Sequence, residues 1–153
     1  DSGADYCIIG HSEAREQLNE SNESIREKFD QLKRMQINPI VCVGESLQVK
    51  ETEKTKDHLR NQLSVLDSET EDLIVAYEPI WAIGTGLVPT EKEIDEAIGS
   101  IREIFKKPIK VLYGGSVKAS NAQILLDNTD INGLLVGGAS LNAQEFAKIA
   151  QLC

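Results

Sequence analysis

The chain has 153 residues, 41% hydrophobic and 27% charged, with a formal net charge of −9; this fits one globular domain with a sizeable core and excludes a disordered chain. Such acidity argues against nonspecific binding to nucleic acid or to an anionic membrane, and it requires any anionic ligand to be captured by a local device. Cys7, Cys42 and Cys153 are odd in number, and the first two sit inside apolar runs, so buried free thiols are expected rather than disulfides or a zinc site.

Strand-like runs are predicted at 6–9, 40–43, 73–77, 109–113 and 134–136, each followed by polar or glycine-bearing residues and then a helical pattern. The first helix places Ile25, Phe29 and Leu32 on one face behind Ser21 or Asn22 as its cap. A highly charged second helix carries Leu59, Leu63 and Leu66 as its stripe, with His58 read as a solvated face residue. Thr90 and Glu93 form a capping box ahead of Ile94, Ala97, Ile98, Ile101 and Phe105. Ser120 with Gln123 repeats the box before Ile124 and Leu125, and Asn142 with Glu145 opens a last helix carrying Phe146, Ile149 and Ala150. No leader peptide and no apolar run of membrane length is read from the sequence, which sets a cytoplasmic, non-membrane expectation.

Strand alternating with helix, without hairpin signals, implies parallel strands joined by right-handed crossovers. An open doubly wound sheet would carry a Gly-rich fingerprint after an early strand, and none is present. A (β/α) barrel places function at the carboxyl ends of several strands. The unusual residues cluster there: Gly10-His11-Ser12-Glu13, Gly44-Glu45, Glu78, Gly114-Gly115-Ser116 and Gly137-Gly138. A closed barrel needs eight units and roughly 250 residues, so the five units here predict a single, incomplete and open barrel spanning 1–153.

Glu78 ends the apolar run Leu73-Ile74-Val75-Ala76-Tyr77, and Pro79 then stops sheet pairing. The segment Pro79-Ile80-Trp81-Ala82-Ile83-Gly84-Thr85-Gly86 has a stiff start, an apolar middle and a flexible end, as a lid over a catalytic acid would. Shielded by that lid, Glu78 would have its pKa raised and suit the role of a general base; the competing reading is a strand-end salt-bridge partner in an ordinary loop. His11 stands where a strand gives way to a helix start, so it is either an electrophile that polarises a carbonyl or a local cap. Gly114-Gly115-Ser116 and Gly137-Gly138 precede the helix starts at Ser120 and Asn142. Backbone N–H groups aimed by those helix N-termini would cradle a phosphate without Lys or Arg, although glycine is also normal in such connections. Glu13, Arg15 and Glu45 are read as supports of the site or as a structural ion pair.

These stretches resemble the triosephosphate isomerase family along the whole chain. Residues 8–13 (Ile-Ile-Gly-His-Ser-Glu), 41–45, 77–86, 113–117 and 135–141 are similar to its signatures, in the same order. The resemblance implies a partial TIM barrel in which Glu78 shuttles a proton between adjacent carbons of dihydroxyacetone phosphate and glyceraldehyde 3-phosphate. It implies further that His11 polarises the carbonyl, that Pro79, Ile80, Trp81, Ala82, Ile83, Thr85 and Gly86 form the lid, and that Gly84, Ser116, Gly137 and Gly138 hold the phosphate. Ser12, Glu13 and Cys42 resemble the family's supporting residues. The expected partner is a small phosphorylated triose, and neither metal nor organic cofactor is implied.

Two departures stand out. The family usually has Arg where Ala14 stands here. Its first three βα units, with the first-strand Asn and catalytic Lys and the loop that interlocks the homodimer, have no counterpart, so the chain resembles the C-terminal five-eighths of a family member. By itself it is expected to turn over weakly or not at all, and a non-catalytic phosphate-binding half-barrel is the alternative.

Overall fold

Alternate strand positions of this sequence separate into two populations. Ile9, Val41, Val43, Val75, Tyr77, Val111 and Tyr113 are buried and join the helix residues Ile25, Phe29, Leu59, Leu63, Ile94, Ile98 and Ile101 in one core. Several positions between them are more open: Tyr6 and Ile8 are 55% and 48% exposed, and Ile40, Ile74 and Leu112 are half-buried, whereas Cys42 and Ala76 are buried on this face as well.

The computed structural model describes residues 3–152. The strands are β1 (Tyr6–Ile9), β2 (Asn38–Val43), β3 (Ile74–Tyr77), β4 (Lys110–Tyr113) and β5 (Gly133–Leu134), all parallel and in sequential order within one open sheet. The helices are α1 (Ser12–Gln17), α2 (Asn22–Arg34), α3 (Leu47–Glu51), α4 (Thr55–Leu63), α5 (Glu91–Arg102), α6 (Ala119–Asn128) and α7 (Ala143–Ala150). No helix among the described residues is long and apolar enough to cross a membrane. Cys153 lies outside the described residues, while Cys7 and Cys42 are free thiols, the second fully buried.

The element pattern follows the sequence, with β3 and β4 each starting one residue later than predicted and four further local differences. β2 begins two residues before the predicted run, at Asn38; Pro39 is tolerated because β3 joins only from Ile40, so a missing donor breaks no ladder on that side. β5 is shorter than predicted, because it has one neighbouring strand and the chain turns away toward Gly137. The charged second helix is split into α3 and α4, leaving Leu66 buried in the turn that follows. α6 starts at Ala119, ahead of the Ser120–Gln123 box, because the Asn121 side chain accepts from the Lys118 N–H at 2.8 Å. The Thr90–Glu93 box and the Asn142 cap form as read.

The register brings all strand exits to one rim, and the tightest contact there is between β2 and β3. Glu78 N–H donates to the Val43 carbonyl at 2.7 Å, and a Cβ built on Gly44 would lie 1.7 Å from the Glu78 carbonyl oxygen. Only glycine permits this approach. Gln62 from α4 clamps Gly44 from both sides, accepting from its N–H at 2.9 Å and donating to its carbonyl at 3.2 Å. His58 is not a solvated face residue: it is half-buried, with Nε2 3.1 Å from the same carbonyl.

Two glycine substitutions should therefore act oppositely. Gly44→Ala has no room without backbone movement and should lower unfolding stability by about 3 kcal/mol. Gly99→Ala, in the exposed interior of α5 with open space around the new Cβ, should raise it by about 0.5–1 kcal/mol. Urea unfolding of both variants checks the pair.

Candidate active site

Glu78 is the first residue beyond β3, and the flanking strand exits leave it little freedom. Gly44 fixes its backbone on one side, and on the other a Cβ at Gly114 would come within 3.0 Å of its Cγ. The residue is 2% exposed. Its Oε2 accepts from the Ser12 N–H at 3.1 Å, and Oε1 lies 3.1 Å from His11 Nε2. The Cys42 thiol adjoins the carboxylate and favours its charged form. Burial pushes the Glu78 pKa up; His11, the Ser12 N–H, the thiol and Arg15 oppose that shift and do not cancel it. The Cys42 thiol is in turn pushed up by burial and by the adjacent carboxylate, so it is an inert donor rather than a nucleophile.

His11 caps α1: its Nδ1 accepts from the Glu13 N–H at 3.4 Å. Nδ1 being the acceptor, this network assigns the ring proton to Nε2, the atom that faces Glu78. Capping and site placement thus coexist in one ring. Behind it, Arg15 donates to the Gly10 carbonyl at 2.8 Å, to Asn22 Oδ1 at 2.8 Å and to the Cys42 carbonyl at 3.1 Å. It ties the β1 exit to the β2 exit, and burial lowers its pKa despite nearby acids. Arg15 is a structural tie and forms no ion pair with Glu13. Glu13 is exposed on α1 and does not line the cavity described below.

The 79–86 segment is anchored at its start and free at its end. Pro79 is buried, and Ile80–Ala82 form one 3-10 turn. Glu45 is 1% exposed; its Oε1 accepts from the Tyr77 hydroxyl and the Trp81 Nε1–H, each at 3.0 Å. Burial raises the Glu45 pKa against those two donors. Lys50 sits over the Trp81 ring at 3.6 Å and reaches Glu93 at 2.7 Å. Gly84 and Gly86 have φ of +67° and +80°, values that favour glycine, and residues 84–88 are exposed. The Ser116 hydroxyl donates to the Ala82 carbonyl, linking this segment to the turn after β4.

His11 and Glu78 open into a cavity of about 630 Å³, walled by Ile83–Gly86, by the 114–118 turn and by the 135–139 turn. Of the residues predicted to form the site, His11, Glu78, Gly84, Ser116, Gly137 and Gly138 line it together. Ser12 and Cys42 hold Glu78 from behind, while Trp81 faces a separate cleft with Glu45 and Lys50. One expectation is corrected. Amides at the helix starts near Ser120 and Asn142 are taken up by side chains rather than left open. The Ala119 N–H of α6 donates to Glu145 Oε1 at 2.8 Å, and the Gln144 and Glu145 N–H groups of α7 donate to Asn142 Oδ1 at 3.0 Å each. The glycine turns line the cavity. Sequence reading missed Lys118 and Glu145 as cavity residues; Glu145 was legible only as the partner of Asn142 in the α7 cap.

The sequence model of the family described as Triosephosphate isomerase matches residues 1–153. The chain belongs to the triosephosphate isomerase family. Proteins named triosephosphate isomerase include that of Alkaliphilus oremlandii (strain OhILAs), 41% identical over 162 residues, covering 97% of this chain and 65% of the relative. That of Francisella tularensis subsp. tularensis (strain SCHU S4 / Schu 4) is 42% identical over 161 residues, covering 97% and 64%. That of Mesomycoplasma hyorhinis is 44% identical over 154 residues, covering 99% and 63%. The chain thus spans just under two thirds of the length of these relatives. Its five parallel strands with alternating helices form a partial TIM barrel, open between β1 and β5.

The Glu78 geometry carries a pH signature. Its folded pKa lies above the ordinary 4.5, so folding favours the protonated form. The associated stability is present below the unfolded value and is lost as pH rises through the folded one. Glu78→Gln does not titrate. Relative to this variant, the wild-type chain should lose stability as pH rises through and above the ordinary carboxylate range in parallel urea titrations. A gap independent of pH would contradict the assignment.

Proposed function

We propose that this chain supplies the base, the electrophile and the phosphate wall of a triose-phosphate isomerase site. The observation that carries the reading is the buried Glu78 carboxylate, paired with His11 Nε2 in the same cavity as the Gly114-Gly115-Ser116 and Gly137-Gly138 turns. Glu78 removes a proton from the carbon beside the carbonyl of dihydroxyacetone phosphate and returns it to the neighbouring carbon, giving glyceraldehyde 3-phosphate. No atom is gained or lost. The His11 Nε2–H hydrogen-bonds the carbonyl oxygen as negative charge develops there. The backbones of Gly84, Ser116, Gly137 and Gly138 hold the phosphate, and the 79–86 segment closes to exclude water. Ser12 and Cys42 orient the carboxylate. This chemistry belongs to glycolysis and gluconeogenesis in the cytoplasm.

On this reading the chain is the C-terminal part of a full barrel whose first three βα units complete the site and the homodimer. Lys118 is the one lysine or arginine among the described residues lining the cavity, which favours a second reading for the 153 residues alone: a half-barrel that binds phosphate without turnover.

The natural full-length chain should interconvert the two triose phosphates, and Glu78→Gln should lower kcat by at least about 10³-fold without lowering Tm. Unchanged turnover in the variant would refute Glu78 as base. Phosphate binding without turnover by the 153-residue chain would favour the half-barrel.

A further inference from the structure

The phosphate wall contains an acid that the proposed reaction does not use. Glu145, the third residue of α7, lines the cavity together with Gly115, Ser116, Gly137 and Gly138. It is half-buried, and its Oε1 accepts from the Ala119 N–H, the first amide of α6, at 2.8 Å. Two consequences follow. The amide that an incoming anion would otherwise find at the α6 terminus is already satisfied by a carboxylate of the same chain. The carboxylate also places a negative charge in the wall of a cavity where Lys118 is the one lysine or arginine among the described lining residues. Both effects oppose an anion held by the glycine turns.

We infer that Glu145 sets the phosphate affinity of this cavity, holding it below what the glycine turns and the α6 terminus would give without it. The inference rests on the phosphate reading above and deepens it. Glu145 is a specificity-determining residue that needs no part in proton transfer. Weaker capture of the anion shortens the residence of a phosphorylated product, which favours turnover where release limits the rate.

Glu145→Gln keeps the shape of the side chain and an oxygen able to accept from the Ala119 N–H, while removing the charge. Glu27→Gln, at an exposed position of α2, changes net charge equally and serves as the control. Inorganic phosphate is titrated calorimetrically into the natural chain and both variants at low and high ionic strength, with Tm recorded for each. Glu145→Gln should bind phosphate about three- to tenfold tighter at low salt, the gain shrinking as salt screens it, and Glu27→Gln should match the natural chain. Equal or weaker binding by a folded Glu145→Gln overturns the inference and leaves the phosphate reading intact. Absence of phosphate binding by all three chains overturns the phosphate reading, and this inference with it.

Discussion

The backbone contact between the exits of β2 and β3 constrains the rest of the site. Gly44 has no side chain because the Glu78 carbonyl occupies the space where one would begin. Gln62 and His58 hold Gly44 by both of its backbone groups, and Val43 accepts the Glu78 N–H. With the backbone of Glu78 fixed on that side and Gly114 crowding its Cγ on the other, the carboxylate is directed at Ser12 N–H and His11. A carboxylate held in this way has little conformational freedom left to lose. The clamp belongs to the core packing of α4 rather than to the loops around the cavity.

Electrostatics follow from the same placement. A chain of net charge −9 repels anions at long range, so capture of any anionic ligand would have to rely on short-range dipoles. Glycine turns offer N–H groups without side chains that would fill the cavity, and the two turns after β4 and β5 line it from adjacent units. Buried acids do separate work. Glu78 faces the cavity with its pKa raised, while Glu45 lies beneath the 79–86 segment and gathers the Tyr77 hydroxyl and the Trp81 indole. One carboxylate opens into the cavity; the other anchors the start of the 79–86 segment.

The sequence carried the parts governed by local chemistry. The strand runs, the Thr90–Glu93 box, the Asn142 cap and the position of Glu78 at a strand exit were all legible, because apolar periodicity and capping signals act over a few residues. The (β/α) order followed from alternation alone. What stayed hidden depends on neighbours distant in sequence. His58 looked solvated because nothing local shows that Gly44 lies within reach of its ring. The first amide of α6 looked available until Glu145, 26 residues further on, proved to occupy it. Arg15 resembled half of an ion pair, whereas its three partners are two backbone carbonyls and an asparagine. In each case a polar side chain is satisfied across strand exits that only the register brings together.

The direct test of the account is the titration of Glu78 itself, followed by carbon-13 NMR of its carboxyl carbon, with the His11 ring nitrogens observed in the same samples. The account predicts a midpoint above 4.5, with the His11 Nε2 resonance moving in the same step because the two groups share a hydrogen bond. A Glu78 midpoint at or below that value, or a His11 ring indifferent to the titration of Glu78, would contradict it.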